Sequence, residues 1–127
     1  MIIPSEVYMQ EVGDWLGRFE WSLYGTFSFR RCMRSDSALK AVRRFITSLD
    51  SSARFVLAVR QYQDADKPHI HGLIRGLEGC NCFYLANRWY KGYGIARVFP
   101  YDKTRGASYY LAKNAYGNWG ELDVSGM

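Results

Sequence analysis

The sequence predicts an α+β fold, a central antiparallel sheet of about 4–5 strands flanked by helices. Three observations carry that expectation. Residues 55–76 read as two strands joined by a polar turn, which makes a hairpin and sets an antiparallel core. Residues 36–49 repeat apolar side chains at helical spacing, with Ala38, Leu39, Val42, Phe45, Ile46 and Leu49 on one face and Lys40, Arg43 and Arg44 outside it. Further helices and strands alternate with these along the chain.

Taken in order, residues 5–17 start a helix after Pro4, with Ser5 as N-cap, although Gly13 and Gly17 interrupt its pattern. The aromatic alternation of EWSLYGTFSFR, residues 20–30, reads as a strand. Ser35 or Asp36 is positioned to cap the helix over 36–49. FVLAVRQY, residues 55–62, opens as an apolar run and fits a buried central strand. Gln63 to Lys67 is turn material, and Pro68 opens the returning strand HIHGLIRG. A helix over 81–91 is broken at Gly92 and Gly94, and IARVFPY, 95–101, is a strand ended by Pro100 and Asp102. The last helix runs from about Thr104 to Tyr116 and stops at Gly117. The expected organisation is one domain over 1–127, with 1–19 as a helical extension and no helicase domain.

Hydrophobic residues make up 48% of the chain and charged residues 23%, the balance of a globular protein. An aromatic content of 17% excludes a disordered tail. No stretch approaches the roughly 18 apolar residues of a membrane span. Glu6, Glu11 and Asp14 interrupt any signal-peptide pattern, so no membrane partner is expected and the location is taken as cytoplasmic. The net charge of +5 favours polyanions, and ten tyrosines and four tryptophans beside the cations suit stacking on unpaired bases. The three cysteines read as ordinary thiols. Cys80 and Cys82 are too closely spaced for a typical zinc pair, which weighs against a small zinc protein built on them with His69 and His71.

The two histidines of the chain are His69 and His71. On a strand they point to one face, about 6–7 Å apart, where two imidazoles can converge on one cation. Ile70 points the other way, into apolar packing. Gln61, near the end of the partner strand, can face the pair and offer a hard oxygen, compatible with Mg²⁺ or Mn²⁺. The plainer reading is a histidine pair satisfied by hydrogen bonds within the sheet.

Residues 106–116, GASYYLAKNAY, place Lys113 one helical turn from both Tyr109 and Tyr110. A nearby cation favours the phenolate, and a metal ion on a phosphate makes the phosphorus more electrophilic. The residues alone leave Tyr109 and Tyr110 equivalent as nucleophiles. Ala107, Leu111 and Ala115 also form an apolar stripe, so the helix packs on the sheet whatever its tyrosines do.

PHIHGLI, residues 68–74, resembles the His-hydrophobic-His motif of HUH endonucleases. RQYQDADKPHIH, residues 60–71, is similar to the stretch of phage and plasmid replication initiators with an acidic residue eight positions before the first histidine. Gln61 stands at that position as a departure. Tyr110-Leu-Ala-Lys113 resembles their Tyr-x-x-Lys, and the surrounding segment is similar to their paired-tyrosine helix. Asn114 stands where the second tyrosine would fall, so the pattern is that of a single-tyrosine enzyme unless Tyr109 substitutes. GTFSF, residues 25–29, is similar to their first short motif.

The resemblance spans roughly residues 20–117 and implies an HUH/RRM-like nuclease fold. It implies a metal-dependent single-strand endonuclease that initiates rolling-circle replication. His69, His71 and Gln61 would hold Mn²⁺ or Mg²⁺, Tyr110 would be the nucleophile with Tyr109 as the alternative, and Lys113 would support it. Thr26 and Ser28 would help hold the DNA, with Arg30, Arg31, Arg34 and Lys91 and the aromatics Trp89 and Tyr93 as further candidates. The partner implied is single-stranded origin DNA, hairpin origins included, with a host or separate helicase. The location implied is a bacterial or archaeal cytoplasm, or the nucleus for a eukaryotic virus. A single-strand transposase, a relaxase and a non-catalytic single-strand-binding module are the rival expectations.

Overall fold

A computed structural model describes residues 11–60, 67–106 and 122–124. Its strands are β1 (Leu23–Phe27), β2 (Arg54–Arg60), β3 (His69–Arg75), β4 (Ala96–Pro100) and β5 (Leu122–Val124). The helices α1 (Ser35–Leu49) and α2 (Cys82–Gly92) complete the plan, with residues 11–16 also helical ahead of β1. The strands form one antiparallel sheet in the order β4-β1-β3-β2-β5. Without β5, the succession β1-α1-β2-β3-α2-β4 is the ferredoxin-like arrangement. Each helix links two parallel strands separated by one antiparallel neighbour.

Both helices cover the same face of the sheet. Strand residues alternate between faces, and Phe27, Phe55, Leu57, Ile70 and Ile74 meet Val42 and Ile46 of α1 and Leu85 and Trp89 of α2 there. Trp89 is fully buried and packs edge-on to Phe27, Phe29 and Phe45 at 5.0–5.3 Å between ring centres. Burial of side chains of that size is worth about 2–3 kcal/mol apiece, so this layer carries most of the fold's stability. Trp89 is therefore a core residue and not part of a strand-binding surface. Tyr93 stacks on it at 4.3 Å.

The opposite face is covered over part of its area. Leu16 and Trp21 pack on Val56, Ala58 and Leu73, and the Trp21 indole donates to the Leu16 carbonyl at 2.8 Å. The remainder of that face carries the histidines.

Several local expectations change. β1 is shorter than 20–30, although backbone bonds from Ser28 N to Ile95 O and from Arg30 N to Tyr93 O continue its pairing with the chain before β4. Arg34, and neither Ser35 nor Asp36, stands at the N-cap of α1, with no side-chain cap. Asp36 instead accepts from the Ser37 amide inside the first turn. Gly92 ends α2 from within, and Tyr93 caps it. A 3₁₀ turn, Lys103–Arg105, opens the stretch expected as the last helix and closes on Gly106 in the left-handed region. The rest of that helix, residues 107–116, and the 1–10 part of the helical extension lie outside the described residues. β5 was not expected.

Candidate functional site

β3 sits in the middle of the sheet, between β1 and β2. Its alternation sends Ile70 into the helix-covered core, fully buried, and leaves His69 and His71 on the other face. The register then fixes their neighbours. Thr26 of β1 lies opposite His71 on one side and Ala58 of β2 on the other. Beyond Thr26, Arg97 of β4 continues the same row. Arg60 lies opposite His69 in the last pair of the β2–β3 ladder.

The two imidazoles differ in setting. His71 is buried, at 5% exposure, and alone among the described polar or charged residues. Its Nδ1 shares a hydrogen bond of 3.1 Å with the Tyr24 hydroxyl and lies 3.4 Å from Thr26 Oγ1. A hydroxyl on one ring nitrogen orients the imidazole, as partners of metal-binding histidines do, and can donate or accept according to the tautomer. His69 is half-buried and lines an open groove of about 380 Å³ with Thr26, Ser28, Ile95 and Arg97. Two imidazoles on one face are donors of the type that a divalent cation takes. The chemistry of that donor set is what they contribute; a metal-holding group of three His, Cys, Asp or Glu does not occur among the described residues.

Thr26 and Ser28 thus gather beside His69. Gln61, Tyr109, Tyr110 and Lys113 lie outside the described residues. Arg30, Arg31 and Lys91 come together in a separate pocket of about 560 Å³, walled by Phe29, Met33 and Tyr93. Arg34 is exposed and pairs with Asp36 at 3.4 Å. Cys82 packs on the helix-covered core, on the opposite side of the sheet from the histidines, so a four-residue zinc site with Cys80 is not formed.

Arg97 is the residue that sequence reasoning missed. Its strand position was legible, but its place in the row of His71 and Thr26 depends on β1 lying between β3 and β4, a long-range pairing. An exposed polar residue alternating with Val98 in a short strand was the available signal.

Comparison with protein-family models, with characterised proteins and with solved structures finds no match to this chain. The fold and site define the class: an α+β domain with an antiparallel sheet and a histidine pair on the face opposite α1 and α2. Among the described residues no helix is long and apolar enough to cross a membrane.

Proposed function

We propose that this chain is a metal-dependent single-strand DNA endonuclease that nicks and rejoins through a 5′-phosphotyrosine link, initiating rolling-circle replication. The observation that carries the reading is the His69–His71 pair on the face of the central strand opposite α1 and α2, with His71 held at Nδ1 by Tyr24. His69 and His71, with Gln61, would hold Mn²⁺ or Mg²⁺. The ion supplies charge stabilisation at the non-bridging oxygens of the scissile phosphate. Thr26, Ser28 and Arg97 line the groove in which that phosphate would sit.

Tyr110 Oη attacks phosphorus and the P–O3′ bond breaks. The electron pair of that bond leaves with the 3′ oxygen, which ends as a hydroxyl on taking up a proton equivalent to the one the phenol gives up. Lys113 favours the phenolate. The phosphodiester energy is retained in the tyrosyl ester, so the 3′-hydroxyl can reverse the step and rejoin a strand. A transposase or relaxase would use the same chemistry on other substrates.

One observation favours a second reading. The order β4-β1-β3-β2 is also that of RNA-recognition domains, which bind single strands without catalysis by stacking bases on aromatics of the two central strands. Here the face of those strands opposite the helices holds Thr26, His69 and His71, and its one aromatic, Tyr24, has its hydroxyl on His71, which favours the metal reading.

Denaturing electrophoresis with end-labelled hairpin-origin oligonucleotides and Mn²⁺ tests the proposal. A DNA-linked protein band that needs the metal and disappears in Tyr110→Phe is the expected result. Loss in Tyr109→Phe alone would move the nucleophile by one residue. Binding that persists in EDTA, with no adduct on any oligonucleotide, would favour the non-catalytic module.

A further inference from the structure

The solvent side of α2 is unusual for a surface helix. Phe83 is 88% exposed, Tyr84 55% and Tyr90 56%, although large aromatics are normally spent on the core. Arg88 and Lys91 lie among them, also exposed, and the helix CFYLANRWYKG contains no carboxylate. The arrangement follows the helical period. Tyr84, Arg88 and Lys91 form one stripe, and Phe83 and Tyr90 form the adjacent one. Leu85 and Trp89 point inward and hold the helix on the sheet.

Guanidinium and ring are matched along this surface. Arg88 lies 5.8 Å from the centre of the Tyr84 ring, and Arg30 lies 5.1 Å from that of Tyr90, whose carbonyl it also hydrogen-bonds. At its C-terminal end the helix meets the pocket of about 560 Å³ rimmed by Arg30, Arg31 and Lys91. Aromatic faces take up bases, cations take up phosphates, and a surface with no negative charge does not repel the backbone. Phe83 and Tyr90, seven residues apart, are separated by about 10 Å along the axis, the rise of roughly three stacked nucleotides.

We propose that the outer face of α2, from Phe83 and Tyr84 to Tyr90 and Lys91, is a second binding surface for single-stranded nucleic acid, on the opposite side of the sheet from the histidines. Bases stack on Phe83, Tyr84 and Tyr90, and the strand continues toward the Arg31–Lys91 pocket. A single strand is favoured over a duplex because the aromatics need exposed base faces. It is favoured over an acidic protein because three large rings, Phe83, Tyr84 and Tyr90, are exposed beside the cations. The surface stands independently of the nuclease reading, since it needs neither metal nor Tyr110.

The test is fluorescence anisotropy of a labelled mixed-sequence oligonucleotide with the full chain in EDTA. Phe83→Ser and Tyr84→Ser each remove an exposed ring, and the thermal midpoint serves as the folding control. Each is expected to weaken binding about tenfold. Arg88→Ala with Lys91→Ala is expected to lower the slope of log K against log salt by roughly one and a half. Lys40→Ala, which removes an exposed cation from the aromatic-free outer face of α1, is expected to leave the stacking contribution intact. Parental affinity in both serine variants would overturn the proposal, reducing the attraction to net charge. Equal weakening on duplex DNA would overturn the single-strand assignment, as would sedimentation showing that Phe83 and Tyr84 instead hold two copies of the chain together. Nicking assays on Tyr110→Phe report on the nuclease reading alone, because that variant should keep full binding on α2.

Discussion

The hydroxyl of Tyr24 reaches the buried imidazole of His71 at 3.1 Å, and Thr26 Oγ1 lies 3.4 Å from the same nitrogen. Tyr24→Phe keeps the ring and deletes that one oxygen. The loss should be about 1 kcal/mol of stability, measured by denaturant titration, because the imidazole nitrogen loses a partner. If His71 binds a cation, the same change should lower Mn²⁺ affinity about 10- to 100-fold, the usual consequence of removing a group that orients a ligand. Unchanged affinity with lowered stability would leave His71 a structural histidine. Gln61→Glu adds a charge to the set and should raise Mn²⁺ affinity on the order of tenfold, read as a metal-dependent rise in thermal midpoint. No rise would remove Gln61 from the ligand set.

Among the elements, α1 was the most legible in the sequence. Six apolar residues at helical spacing gave its length to within one residue, and those from Ala38 to Ile46 are buried. Its start was less legible, because Arg34 occupies the cap without a side-chain bond and local chemistry alone pointed to Ser35 or Asp36. The histidine strand was legible for a different reason: period-two alternation assigns faces without reference to any partner. α2 misled in one position. Trp89 lies among Arg88, Tyr90 and Lys91 and reads as surface, yet Cys82, Leu85, Trp89 and Tyr93 recur at three- and four-residue steps and mark the inward stripe. β5 has only three residues, too few to show a period. The junction from α1 to β2 carries its own test. Asp50 accepts from the Ser52 amide at 2.8 Å and from its hydroxyl at 2.6 Å, and these bonds hold the carboxyl below its usual pKa. A depressed carboxylate stabilises the fold above its unfolded-state value and loses that contribution as pH falls through its folded value. The difference in thermal midpoint between the parent and Asp50→Asn should therefore be present at neutral pH and fade under acid conditions below about pH 4. A difference constant with pH would mean that these bonds are neutral in character.

For the whole molecule, the sheet is a partition. Its helix-covered face supplies the main core, and α2 presents its aromatics outward from there, whereas His69, His71, Thr26 and Arg97 occupy the far side. If both proposed surfaces contact a strand, the packed sheet between them keeps them apart, so their contributions to binding should add. Arg97 is exposed and directly follows Thr26 in the row from His71, which makes it the natural cation of the groove. Arg97→Ala should weaken an oligonucleotide in EDTA and lower its salt slope by about 0.7, without shifting the thermal midpoint. Combined with Tyr84→Ser, on an oligonucleotide long enough to reach both sides, the two losses in binding free energy should sum to within about 0.5 kcal/mol. A larger shortfall would mean that both variants disturb one shared surface, and the partition would fail. On an oligonucleotide too short to span the edge of the sheet, only one side can be engaged at a time. The double variant should then lose more than either single one, because each single variant still has the other surface to bind with.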